Sequence, residues 1–471
     1  MARVLQLRIR PDVLLVVAVL PVLAAMGVES GRVVDRYGTF KVAWLLIVAA
    51  VGAIGVTSLA RAVAVVLFAS SIVFRTTALL GVEIHTTHVL LVFLAFQVLI
   101  AWAYRQATVP RGLSGPLVAI VAGATIASIA GPETTASFVR GAGGLLPPLV
   151  AGVAAATLTR AKDVSRMVLA TAGAAIVEGG IALLQVTGHA FGPLLPFESG
   201  RVNGLFFHPN ILGGYLAAVS LLLLGVGVHI WSRSRLAAIA LVVPIAFGVA
   251  GIGATLSRGA LVALAAGIAV LIVLTLRGRE LWVLLALLVA VAAVAIPRVP
   301  QAEQTNFQQR FQQLLQPGTN TGRKLIYQEA FQTIEKYPVT GVGPLTFGAN
   351  ARKNGTLPGV ESGLTHAHNV ILEGYLSLGP LGLAGFLWLL LAAVRRYLRV
   401  IRRPEVDPVV KGFAAGALAA LTSFFVQGMV DFLFWQLEAL LLLLILLGSA
   451  FAFDTIAGDR HGAASTPPAA G

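Results

Sequence analysis

Three short stretches interrupt an otherwise apolar chain with residues able to bind an anion or move a proton. The first is Arg201-Val-Asn203-Gly-Leu-Phe-Phe-His208-Pro209-Asn210. Proline suits the first position of a helix, where its missing N–H costs nothing, so a helix is predicted to start at Pro209 with His208 as its cap. The free N–H groups of such an end attract anions, and Arg201 adds a planar donor of permanent charge. The second is Thr255-Leu-Ser257-Arg258-Gly259, lying between two apolar runs with almost no loop. Ser257 can cap the helix that follows, which again brings a helix N-terminus and an arginine to one place. The third is Thr365-His366-Ala-His368-Asn369-Val-Ile-Leu-Glu373. Asn369 can cap a short helix that Gly379 and Pro380 terminate, holding His368 at its start. Neutral histidine titrates near neutral pH and can serve as a general base, with His366 in reserve. The His-x-His pair also admits a zinc reading, ranked lower because no neighbouring Cys or Asp completes a ligand set. Each stretch has a plainer explanation as well: a headgroup anchor at Arg201, a snorkelling arginine at Arg258, and histidines that only cap a helix at the interface.

The elements that must position these residues are membrane helices. The 471 residues are 57% hydrophobic and 11% charged, with a mean hydropathy of +0.88, so most of the surface is suited to lipid rather than water. Apolar windows predict spans at Asp12–Val28, Val42–Ala60, Ala62–Val82, Thr87–Tyr104, Ser114–Ala130, Gly141–Leu158 and Val164–Val186. Others follow at Pro209–Trp231, Leu236–Leu256, Gly259–Leu276, Leu281–Ile296, Leu381–Leu398, Gly412–Val430 and Phe434–Phe453. The expectation is an all-α polytopic membrane protein of about 12 to 14 transmembrane helices. Thirty-four Lys+Arg against twenty Asp+Glu give a net charge of +14. The basic residues gather in alternate short loops, at Arg105/Arg111, Arg160/Lys162/Arg166, Arg233/Arg235, Arg277/Arg279 and Arg395–Lys411. That pattern marks cytoplasmic loops rather than nucleic-acid binding, and it puts all three polar stretches on the opposite face. Arg32, Arg36 and Lys41 fit this alternation poorly. Arg3, Arg8 and Arg10 precede a first helix with no cleavage pattern after it, which reads as retained, and the absence of cysteine excludes thiol chemistry.

Four regions are expected: a transmembrane bundle over 1–297, an extracytoplasmic loop over 298–369, transmembrane helices over 370–457 and a disordered cytoplasmic tail over 458–471. Within the loop, Phe307, Phe311, Leu314 and Leu315 share one face of an amphipathic helix over Gln301–Gln316 that Pro317 and Gly318 end. A second helix is predicted from Thr321 to Pro338, with Arg323 in a first turn where a cation is unfavourable unless an anion holds it there. Glu178, inside an apolar span, is expected to be a pair partner or a functional carboxyl, while Gln427 and Asp431 are expected to line a polar outer vestibule.

Taken together, an Arg before a Pro-Asn-led helix, a Ser-Arg-Gly helix start, a long loop with Gly322-Arg323, Tyr337-Pro338 and Gly341-Val-Gly343, then His368-Asn369 and a Gly379/Gly382 helix, resemble the O-antigen ligase and O-antigen polymerase family. The resemblance covers roughly Arg201 to Gly385, and His208 departs from it, since the family more often has Asn before Pro-Asn. It implies a GT-C-like membrane glycosyltransferase of lipopolysaccharide or polysaccharide synthesis, sited in the bacterial inner membrane with its active site on the periplasmic face. The implied donor is a glycan on undecaprenyl diphosphate; the acceptor is a hydroxyl of another glycan, of the lipid A core or of a protein. No metal or other cofactor is implied. Arg201 and Arg258 would hold the diphosphate and His368 would activate the acceptor, predicting inversion. Asn203, His208, Asn210, Ser257, Arg323, His366 and Asn369 would complete the substrate site. A transporter or flippase of lipid-linked saccharides is the alternative, disfavoured because the polar residues gather at one end of the membrane rather than mid-bilayer.

Overall fold

A computed structural model describes residues 58–71, 75–79, 82–104, 108–186, 201–275, 279–295, 321–354 and 366–464. The first predicted span, most of the second, Arg32–Lys41 and the amphipathic helix over Gln301–Gln316 lie outside these residues. The helices are α1 (Leu59–Ala69), α2 (Thr86–Ala103), α3 (Ser114–Ala130), α4 (Thr134–Arg140), α5 (Leu146–Ala156), α6 (Ala161–Val186), α7 (Pro209–Ile230) and α8 (Arg235–Ala240). They continue with α9 (Val242–Thr255), α10 (Arg258–Leu274), α11 (Arg279–Ala295), α12 (Thr321–Lys336), α13 (Phe347–Asn354), α14 (Val370–Arg402), α15 (Pro408–Gly428) and α16 (Leu437–Ala464).

Seven helical stretches among the described residues are long and apolar enough to cross a membrane: α4 with α5, α6, α7, α8 with α9, α14, α15, and α16 as far as Ile456. Shorter apolar helices, among them α1, α3 and α10, pack beside them. The chain is therefore a polytopic helical membrane protein, with fewer full-length spans in the described part than apolar windows suggest. Hydropathy detects an apolar stretch but not where its helix stops. The window Ala62–Val82 illustrates this, because α1 ends at Ala69 and an antiparallel hairpin follows, Arg75–Leu79 pairing with Val82–His85. The β-branched Thr76, Thr77, Val82 and Ile84 favour that extended state over helix. At the other end α16 continues past Gly458 to Ala464, into the stretch expected to be disordered.

Helix α7 sits at the centre, nearly every residue from Pro209 to Ile230 being buried. Its closest neighbour is α15, and small residues allow the approach: a Cβ on Gly225 would lie 2.5 Å from the backbone N of Gly416. The same device joins α6 to α9, where a Cβ on Gly179 would lie 2.2 Å from the Phe247 carbonyl oxygen. Where lipid removes the hydrophobic drive between helices, this close backbone packing is what holds them together.

The two ends of the bundle differ in character. At one, Arg233 pairs with Asp407 at 3.1 Å, Arg399 pairs with Asp454 at 2.7 Å, and Arg396 donates to the Arg111 carbonyl. The other end of α7, about 33 Å away along 22 residues, carries Asn210 and the polar stretches.

Helix α14 is broken at Gly379, whose φ of 64° and ψ of 178° are not helical. Pro380 has no N–H to give the Leu376 carbonyl, and that carbonyl instead accepts the N–H groups of Val342, at 2.7 Å, and Gly343. A Cβ on Gly341 would lie 2.5 Å from the same carbonyl oxygen, so the Gly-Val-Gly segment can dock only without side chains there. The short helix that begins after His368 is thereby fixed at both ends.

Candidate active site

Asp431, in the turn between α15 and α16, is the hub. One carboxylate oxygen lies 3.0 Å from His368 Nδ1 and 3.5 Å from His366 Nε2, and the other accepts from Asn210 Nδ2 at 2.8 Å. Asn210 in turn accepts from the Arg201 guanidinium at 2.7 Å, whose Nε donates to the Thr255 carbonyl at 2.9 Å. Gln427 donates to the Asn210 carbonyl at 2.7 Å. Residues from four separate segments thus form one chain of bonds, Thr255–Arg201–Asn210–Asp431–His368.

Local structure explains each position. His208 caps α7, its Nδ1 accepting the Asn210 N–H at 3.1 Å, which an asparagine would do equally well. Ser257 caps α10 by accepting from the Ala260 N–H, which leaves Arg258 exposed at the first helical position. A Cβ on the adjacent Gly259 would come within 3.5 Å of the Gln427 side chain, so this helix start abuts the same turn. Asn369 caps α14, its Oδ1 accepting from Ile371 and Leu372 while its Nδ2 ties to the Met429 carbonyl at 3.1 Å. His368 takes a left-handed backbone with φ of 52°, a conformation that costs a non-glycine residue on the order of 1 kcal/mol or more and persists only where its surroundings enforce it. Those surroundings are the Asn369 cap, the Tyr327 hydroxyl on the His368 carbonyl at 3.3 Å, and Glu373, which accepts the Ala367 N–H at 2.9 Å and a bond from Ser377.

Electrostatics sharpen the picture. Burial alone would push the Asp431 carboxyl up, but hydrogen bonds and charge from His366 and His368 hold it well below the usual carboxylate range. His208 is pushed down to about 4, first by burial, against the pull of Asp431 and with the help of Arg201 and the other histidines. His366 is 5% exposed and its ring centroid lies 4.3 Å from that of His368, whereas His368 keeps 31% of its side chain open.

Two predicted substrate residues, Asn203 and Arg323, stand outside the chain of bonds from Thr255 to His368. Asn203 turns inward to shape its own loop, donating to the Phe206 carbonyl at 2.6 Å. Arg323 is half-buried near the start of α12, one turn before Tyr327, and makes no hydrogen bond or ion pair among the described residues. Glu178 meets a backbone amide rather than a cation, accepting the Leu205 N–H at 3.2 Å. Gln185, from the same helix, takes the N–H groups of Asn203 and Gly204 and donates to the Gly204 carbonyl, while Gln436 accepts the Phe207 N–H. These three side chains set the loop that presents Arg201. Gln185 and Gln436 drew no attention in the sequence, where the only signal was a lone amide at an apolar helix end. Asp431, expected only to line the vestibule, organises both histidines and supplies the acid that completes a His-x-His ligand set. An apolar cavity adjoins the site, lined by Leu145, Leu149, Val370, Leu378, Phe432 and Leu444 among others.

No curated protein matches the chain at a significant level. A family model described as O-Antigen ligase matches residues 244–387, a segment that holds Arg258, Arg323, His366 and His368 while Arg201, Asn210 and Asp431 flank it. The resemblance read from the residue pattern is therefore supported over residues 244–387, the segment that is similar to the O-antigen ligase family.

Proposed function

We propose that this protein is a GT-C-like glycosyltransferase at the periplasmic face of a bacterial inner membrane, moving a glycan from undecaprenyl diphosphate to an acceptor hydroxyl with inversion and without a metal. The observation that carries the reading is the Asp431 carboxylate, bonded on one side to His368 and on the other, through Asn210, to Arg201. An ionised carboxylate can only accept, so His368 Nδ1 carries its proton and Nε2 keeps a lone pair. Nε2 takes the acceptor proton as the hydroxyl oxygen attacks the anomeric carbon. The bond from that carbon to the diphosphate oxygen breaks, and its electron pair leaves on the diphosphate.

Negative charge thus develops on the leaving group, and fixed positive groups lower the barrier there. Arg201, Arg258 and the N-termini of α7 and α10 supply them, with Arg323, in the first turn of α12, a further cation. The adjoining apolar cavity suits the polyprenyl chain of the donor. The basic opposite end of the bundle, read as cytoplasmic, supports the periplasmic orientation. A total of about 12 to 14 spans, counting those outside the described residues, is part of the same proposal. The same centre serves an acceptor on the lipid A core, on a second lipid-linked glycan or on a protein.

The test is transfer by purified protein in detergent, with EDTA and a glycan on undecaprenyl diphosphate. Product is expected from the wild type. Turnover that requires two membrane-separated compartments would instead support transport.

A further inference from the structure

We propose that His366, His368 and Asp431 also form a site for a divalent transition metal, and that a metal there switches off the base. The inference rests on the same side chains as the proposed transfer chemistry, but its primary readout needs no glycan.

The geometry is nearly that of a ligand set. One ligand atom from each of His366, His368 and Asp431 lies within 4.8 Å of the other two, and Asp431 Oδ1 stands 3.0 Å from His368 Nδ1 and 3.5 Å from His366 Nε2. Ligand atoms on tetrahedral zinc, with bonds of about 2.0 Å, sit about 3.3 Å apart. Only the gap between the histidines must close, and the half-open His368 ring is the one with room to move. Two nitrogens and one oxygen select zinc, cobalt or nickel over magnesium or calcium. His366 and Asp431 are buried, which favours a strong bond, and the open side of His368 leaves the fourth position to water.

Metal on Nδ1 displaces the proton that faced Asp431, and a neutral imidazole so bound carries its proton on Nε2. The ring can then donate but not accept, and the acceptor hydroxyl loses its base.

The probe is Zn²⁺ titrated into chelator-stripped, detergent-purified protein against a chromophoric competitor, with Co²⁺ absorption as a second signature. One ion per chain is expected, with affinity at least about tenfold weaker in both His366→Ala and Asp431→Asn. Co²⁺ should give the intense visible band of a four-coordinate site, and Mg²⁺ should not compete. Zn²⁺ should stop glycan transfer, and EDTA should restore it. No stoichiometric binding, wild-type affinity in both variants, or undiminished transfer by zinc-loaded protein would each overturn the proposal. Intact binding in a protein that transfers no glycan would count against the transferase reading alone, and transfer without binding against the metal site alone.

Discussion

At the basic end of the bundle Arg233 meets Asp407 and Arg399 meets Asp454 directly, with the arginine side chains 64% and 50% exposed. At the opposite end the path from Arg201 to Asp431 runs through the amide of Asn210, and Asp431 is buried. The same residue types serve two purposes. A direct exposed pair lets each charge quench the other in water, where it contributes little. An interposed amide bonds both partners and leaves the carboxylate to orient histidines; in the proposed reaction it also leaves the guanidinium to face the substrate anion. On the proposed function, the difference separates a reacting end from an anchoring end.

The sharpest way to break this contrast is to remove the groups that only the Asp431 end uses. His368→Ala should lower transfer by about 10³-fold, the scale of general-base catalysis, with membrane insertion and yield unchanged. Arg258→Ala should fall nearly as far if charge on the leaving group limits the rate. Unchanged product from either variant removes that residue from the site. Asp431→Asn should cost about 10²-fold, because an amide can present an N–H to His368 Nδ1 and favour the wrong tautomer. A pH–rate profile should then lose or shift its ascending limb.

A subtler substitution turns one end into the other. Asn210→Asp lets Arg201 pair directly and sets a like charge against Asp431; about a tenfold loss is expected, and full activity would mean that the amide is not needed.

His208 tests the same environment through stability. Its pKa falls from 6.5 when unfolded to about 4 when folded, so the unfolded chain binds the proton first as acid is added. Stability should be lost between pH 6.5 and 4, by on the order of 3 kcal/mol. His208→Asn keeps the cap and should flatten thermal stability across that window, while a profile that still falls as in the wild type would assign the acid sensitivity elsewhere. At the basic end Arg233→Ala should change stability by about 0.5 kcal/mol or less and leave transfer alone.

Much of this arrangement was legible in the residues themselves because its signals are local. Caps at His208, Ser257 and Asn369 follow from residue type and the next turn of chain, and each caps the helix that the spacing predicts. The break at Gly379-Pro380 reads the same way. What could not be read depends on contacts between distant segments. Asp431 lies 63 positions from His368, and nothing near it in the chain says which polar group it meets. Asn203 looks like a ligand until its loop closes on Gln185. Span lengths failed for a different reason: composition states that a stretch prefers lipid, whereas the hairpin pairing that follows α1 is set by its own residues and cuts the apolar window short.

The most direct test of the central claim, that Asp431 makes His368 a base, is the transfer rate of wild type, His368→Ala, Asp431→Asn and the double variant, measured side by side in EDTA. The account predicts strong non-additivity, the double variant being no slower than His368→Ala alone. Losses that multiply would show the two residues acting independently and contradict it.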